Sequence, residues 1–249
     1  MVNQRFFLSY IVAIYFIKCN TFVGRQMKEK KILPKYTFGE DMMNVITHLL
    51  GFLFAIIVFI LFINAQIKND IPFSTMYPFY IYVFFMLVMF SISVIYHSRM
   101  HETKSRYVWR IVDHSNIYYY VAATYTPICI YYLPKSNLFL AILILEWSFA
   151  IIGSLITAFF INNKVARMIS YILYIITGWA LVLFFPAIFC MDLIVFFFIL
   201  GGGIVYTAGI IFYSLGKKRK WYHSIFHLFI LAADILQFVG IWFMLINLF

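Results

Sequence analysis

Apolar runs too long for a water-soluble domain recur down this chain, and they decide what it can fold into. Val45 to Ala65 contains no Asp, Glu, Lys or Arg, and its only polar side chains are Thr47, His48 and Asn64. About 20 such residues wound as a helix cross the hydrocarbon core of a bilayer. Seven segments qualify: Val45 to Ala65, Tyr77 to Tyr96, Asn116 to Leu133, Leu138 to Ile161, Ile169 to Phe189, Leu193 to Leu215 and Ile225 to Phe249, each of 18 to 25 residues. Period-two alternation is absent, which argues against a transmembrane barrel. The expectation is an all-α integral membrane protein, a seven-transmembrane helix bundle occupying residues 39–249. Only 11% of the chain is charged, where soluble domains carry about a quarter.

Residues 1–38 read as a separate N-terminal segment. The apolar stretch Phe6 to Ile17 is too short to span and is either a signal-peptide core or a retained interfacial helix. A basic stretch follows it. Cys19, Cys129 and Cys190 show neither metal spacing nor a disulfide framework.

The net charge of +10 is unevenly spread. Arg25, Lys28, Lys30, Lys31 and Lys35 precede the first span. The second-to-third loop carries Arg99, Lys104, Arg106 and Arg110, the fourth-to-fifth Lys164 and Arg167, and the sixth-to-seventh Lys217, Lys218, Arg219 and Lys220. The other side receives only Lys68 and Lys135. By the positive-inside rule the N-terminus is cytosolic and the C-terminus extracytosolic or lumenal. Topology and anionic lipid account for these charges, so no nucleic-acid partner is expected.

With that orientation, the histidines gather at one depth. His97 ends the second span, Asp113 and His114 open the third, and His223 and His227 open the seventh. Glu40, Asn44 and His48 enter the first from the same side. Ionisable groups at membrane depth normally face the bundle interior and a partner. His223 and His227 are four apart and share a helix face, as do Ser93 and His97. On its own the HSIFH pair fits a structural role better than a metal site; His97 and Asp113 at the same depth reverse that preference. Three neutral imidazoles with one open position make a catalytic zinc set. The string is not HExxH, so a general base must come from another helix. Glu40, Asn44 and His48 form a stripe better read as partners behind the ligands than as catalysts. His101 reads as a solvated loop residue and His114 as pointing away from Asp113. Asp234, on nearly the same face as His227 but deeper, is a candidate cavity residue. Gly201, Gly202 and Gly203 read as a close helix approach, and Pro127 as a kink in the third span.

Four ordered motifs, 39-GEDMMNVITHLLG-51, 93-SVIYH-97, 113-DHSNIYYYVAATYTP-127 and 223-HSIFHLFIL-231, make the chain resemble the progestin and adipoQ receptor (PAQR) superfamily, and most closely its haemolysin III branch. The resemblance covers about residues 39 to 249. It implies a seven-helix bundle with a cytosolic N-terminus and a zinc ion near the cytosolic side. His97, His223 and His227 would be the ligands, Asp113 would hold the zinc-bound water, and Ser93 would lie close by. Relatives of this superfamily include adiponectin receptors, linked to ceramide hydrolysis, and the haemolysin III branch takes its name from lysis attributed to pores. The pattern departs from haemolysin III relatives at Gln237, where another His is frequent, and at Asp234, near which they have a small residue.

Three functions are therefore expected to compete. The first is a zinc-dependent hydrolase of a lipid amide such as ceramide, with Asp113 as general base and Ser93 donating to the developing oxyanion. The second is a cytolytic pore or channel, which would be a homo-oligomer with a Phe-rich lipid-facing surface. The third is a receptor whose zinc only ties helices together. In each, the partners are the bilayer and a lipid substrate or ligand.

Overall fold

The computed structural model describes residues 36–216 and 219–248. The Phe6 to Ile17 segment and most of the basic stretch after it lie outside the described residues. Among those described, the regular elements are helical. They are α1 (Phe38–Lys68), α2 (Phe73–His97), α3 (Lys104–Tyr132), α4 (Leu138–Phe160), α5 (Lys164–Gly178), the single turn α6 (Ala180–Leu183), α7 (Leu193–Leu215) and α8 (Tyr222–Ile246). Short 3-10 helices follow α3 (Leu133–Lys135) and α6 (Phe185–Cys190).

Among the described residues, five helices are long and apolar enough to cross a membrane: α1, α2, α4, α7 and α8. The protein is an integral multi-pass membrane protein. Its surface is inverted relative to a soluble domain: α1 exposes Leu53, Ile57 and Ile60 and buries Asn44, His48 and Gly51. Side chains that lipid solvates lie outside, and those needing partners face other helices.

The expected third and fifth spans take a different form. The third lies within α3, whose first half is charged and whose second half is rich in Tyr and Thr; Pro127 sits inside the helix without ending it. The fifth, Ile169 to Phe189, is not one helix. α5 stops at Gly178, and the chain continues through Trp179, α6 and the 3-10 helix Phe185–Cys190, which carries Pro186 in its first turn. The stop leaves carbonyls without helical partners, and the Tyr125 hydroxyl donates to Gly178 O at 3.0 Å. Irregular backbone at membrane depth is tolerated where protein supplies such partners.

Packing follows chain order. α1 lies against α2 and α8, α2 against α3, α3 against α4, α4 against α5, and α7 against α8, while α3 also reaches α8. A capping box begins α1: Glu40 N–H donates to Thr37 Oγ1 at 3.3 Å, and Thr37 N–H donates to Glu40 Oε2 at 2.8 Å. Glu40 Oε1 also accepts from Trp221 N–H at 2.9 Å, tying the start of α8 to the start of α1.

Candidate functional site

That tie brings four histidines together at one end of the bundle. Ring centroids of His48 (α1) and His227 (α8) are 4.1 Å apart, those of His223 and His227 4.4 Å, those of His97 (α2) and His227 5.2 Å, and those of His97 and His223 5.4 Å. All four side chains are buried. His48, His97 and His227 each place one ring nitrogen within 4.8 Å of the others, close enough to hold one metal ion. His48, expected behind the ligands, is therefore part of the cluster itself. His223 is in the cluster but outside that mutually close set, its ring stacked on Tyr36 with centroids 4.9 Å apart. Burial pushes the Tyr36 phenol well above its ordinary pKa, so it covers the cluster as a neutral ring.

The donor set fits a borderline-soft cation such as zinc. Both ring nitrogens of His227 and Nε2 of His48 are buried and make no hydrogen bond among the described residues. A buried polar atom without a partner is costly, and a metal ion would satisfy these.

Behind His97 stands a network of which the sequence announced only Asn44. His97 Nδ1 lies 3.3 Å from Asn44 Nδ2 and 3.5 Å from Asp41 Oδ1. Asn44 would need a lone pair on Nδ1, whereas Asp41 needs a proton there. Asp41 is fixed by the fully buried Arg106, whose Nη1 and Nη2 donate to its two oxygens at 3.1 and 2.8 Å. That charged acceptor outweighs the amide, and the proton it holds on Nδ1 leaves Nε2 as the lone-pair nitrogen. His101, expected in solvent, has its Nε2 2.7 Å from Asp41 Oδ2. Asn44 Oδ1 accepts from the Ser224 hydroxyl at 2.7 Å, which joins α1 to α8.

Asp113 and Ser93 meet as expected from their depth: the Ser93 hydroxyl donates to Asp113 Oδ1 at 2.5 Å. His114 does not point away. Its Nδ1 lies 3.4 Å from Asp113 Oδ2. Glu40 is engaged by Thr37 and Trp221, as described above, and stands apart from the histidines.

A cavity of about 180 Å³ runs inward from this cluster. His48, Ser93, Asp113, His223 and His227 line one part of it. Its flanks are α5 (Tyr171, Tyr174) with the Trp179 that follows it, and α7 (Tyr206, Thr207, Tyr213), bridged by a hydrogen bond from Trp179 Nε1 to Thr207 Oγ1 at 3.1 Å. Asp234 lies deeper, fully buried, held by the hydroxyls of Tyr120 and Tyr206.

The family model for haemolysin-III-related proteins matches residues 36–238. The chain belongs to this family. The haemolysin III family is part of the PAQR superfamily, in line with the motif resemblance. Two curated relatives match nearly end to end. A protein named Hemolysin-3 homolog from Bacillus subtilis (strain 168) is 31% identical over 208 residues, which is 82% of this chain and 93% of the relative. Hemolysin-3 from Bacillus cereus is 31% identical over 213 residues, 85% of this chain and 94% of the relative.

Proposed function

We propose that this haemolysin-III-related protein binds one zinc ion at the histidine cluster and hydrolyses a lipid amide of the ceramide type. One observation carries the reading: the same cavity is walled by imidazoles, by the Ser93–Asp113 pair and by a long aromatic surface suited to a hydrocarbon chain. His97 and the His223–His227 pair are the proposed ligands. His48 is the competitor to His223, since it belongs to the close set. When bound, zinc polarises a carbonyl and lowers the pKa of water to about 7. Asp113 takes the proton from the attacking water, and the Ser93 hydroxyl holds its carboxylate toward the cavity. For Ser93 to serve a developing oxyanion instead, its hydrogen has to leave Asp113 Oδ1. Asp41 and Asn44 orient His97 from behind. In this reading the seven expected segments all cross, with the cluster at the cytosolic face.

The test is metal analysis of the purified protein together with release of fatty acid from ceramides. Expected are one zinc per chain, lost in His97→Ala and His227→Ala, and hydrolysis lost in Asp113→Asn with the metal retained. Comparing His48→Ala with His223→Ala identifies the third ligand. A zinc-loaded protein that cleaves no amide lipid rules the hydrolase out. The name hemolysin, carried by both Bacillus relatives, supports a second reading, membrane lysis. Liposome leakage that persists in the zinc-free variants would favour it.

A further inference from the structure

The cavity carries a second polar station that neither the metal cluster nor Asp113 uses. Asp234 follows His227 by seven residues on α8, about 10 Å along the helix axis. It is fully buried. Its Oδ1 accepts from the Tyr120 hydroxyl at 2.8 Å and also from the Tyr206 hydroxyl, while Oδ2 has no partner among the described residues. Both tyrosines line the cavity. So does Gln237, one turn further along α8, whose amide makes no hydrogen bond among the described residues. The surrounding wall includes Met89, Ile117, Val121, Ile210 and Ile230.

The chemistry of these groups is directional. Each phenol has one hydrogen and gives it to Asp234, so its oxygen is left only with the capacity to accept. Gln237 offers both an acceptor and a donor. A plain hydrocarbon chain would leave the Gln237 amide without a partner and both phenol oxygens without a donor, although each phenol keeps its bond to Asp234. Sites built to hydrogen-bond a hydroxyl discriminate strongly against the analogue lacking it, because their own polar groups are then stranded.

We infer that this station recognises a hydroxyl group carried part-way along the hydrocarbon chain of a lipid. Its hydrogen goes to the Tyr120 or Tyr206 oxygen, and its oxygen accepts from the Gln237 amide. Asp234 is a positioning residue: by taking both phenol hydrogens it makes the tyrosines acceptors. A keto group has no hydrogen to give and can use only Gln237, so it ranks below a hydroxyl and above an unsubstituted chain. The inference rests on the cavity holding a lipid chain, as proposed above, and not on the metal or on hydrolysis.

The experiment measures displacement of a fluorescent fatty acid from the purified full chain in nanodiscs. The probes are stearate, its mid-chain hydroxy positional isomers and the matching oxo acids. The expected result is one hydroxy isomer binding about tenfold or more tighter than stearate, with the oxo acid between them. Tyr206→Phe and Gln237→Leu should each bring that ratio toward one while stearate binding stays within about twofold. Asp234→Asn should shrink the preference for hydroxyl over keto. If stearate binds and no hydroxy isomer binds more tightly, the inference is overturned while the lipid reading of the cavity stands. If no chain binds at all, the lipid reading falls and takes the inference with it. The wild-type series decides the matter even where a variant fails to fold.

Discussion

At the scale of single residues, a buried ion pair supports the histidine cluster from behind. Arg106 has no exposed surface, and Asp41 keeps 12% of its side chain exposed. Removing one partner of a buried pair costs roughly 3–5 kcal/mol, because the other charge is left without compensation; the residual exposure of Asp41 places the cost near the lower end. Arg106→Met should therefore destabilise the protein by about 3 kcal/mol, and Asp41→Asn combined with Arg106→Met by clearly less than the sum of the two single losses. Unfolding in detergent measures both. Asp41→Asn alone should also weaken the proposed zinc binding by roughly 10–100-fold, since His97 loses the charged acceptor that fixes its tautomer; a competing chelator measures that. The sequence made Ser93, His97, Asp113 and the HSIFH pair visible because helical spacing and common depth suffice to place them. Asp41 was hidden as an ordinary acid in a first helical turn beside Glu40. Arg106 was hidden among loop charges, because nothing local says that α3 begins at Lys104 and buries its second basic residue.

At the scale of elements, the three consecutive glycines of α7 separate a packing requirement from mere composition. A Cβ on Gly202 would lie 2.6 Å from Gln237 Cγ and 3.1 Å from the Ala233 carbonyl oxygen. The neighbouring positions are open: 3.9 Å to Leu236 Cδ1 at Gly201, and nothing within 4 Å at Gly203. Gly202→Ala should push α7 from α8 or displace Gln237, costing roughly 1–3 kcal/mol. Gly201→Ala and Gly203→Ala should be neutral or stabilising by up to about 1 kcal/mol, since glycine is a poor interior helix residue. Parallel thermal unfolding of the three variants checks this; equal losses at all three would refute the packing account. The GGG string marked a close approach, and only the structure singles out the middle residue. The break after Gly178 was less legible. Hydropathy continues undiminished to Phe189, so the run reads as one span. The turn at Trp179 is held by Tyr125 and Thr207, which come from helices far away in sequence.

At the scale of the whole molecule, the distribution of basic residues bears on which way the bundle is inserted. Arg99 in the α2–α3 connection, Lys104 and Arg106 at the start of α3, and Lys164 and Arg167 at the start of α5 are basic, whereas Lys68 ends α1 and Lys135 lies in the 3-10 helix after α3. Under the positive-inside rule, the proposed topology has the cluster end in the cytosol. The demanding case is the fifth segment. α5 has 15 residues, about 22 Å of helix, against a hydrocarbon core of about 30 Å. Crossing there depends on α6 and the 3-10 helix completing the path with the cavity-side hydrogen bonds already described. Single cysteines placed at Asp70, Met100, Ser136, Asn163 and Asp192 in a chain freed of its own three cysteines report this directly through a membrane-impermeant thiol reagent. Met100→Cys and Asn163→Cys should react only after the cells are opened, and the other three from outside. Labelling of the 163 and 192 positions from one side would mean that the broken segment re-enters rather than crosses. The cavity flanked by α5 and α7 would then open toward a single face of the membrane.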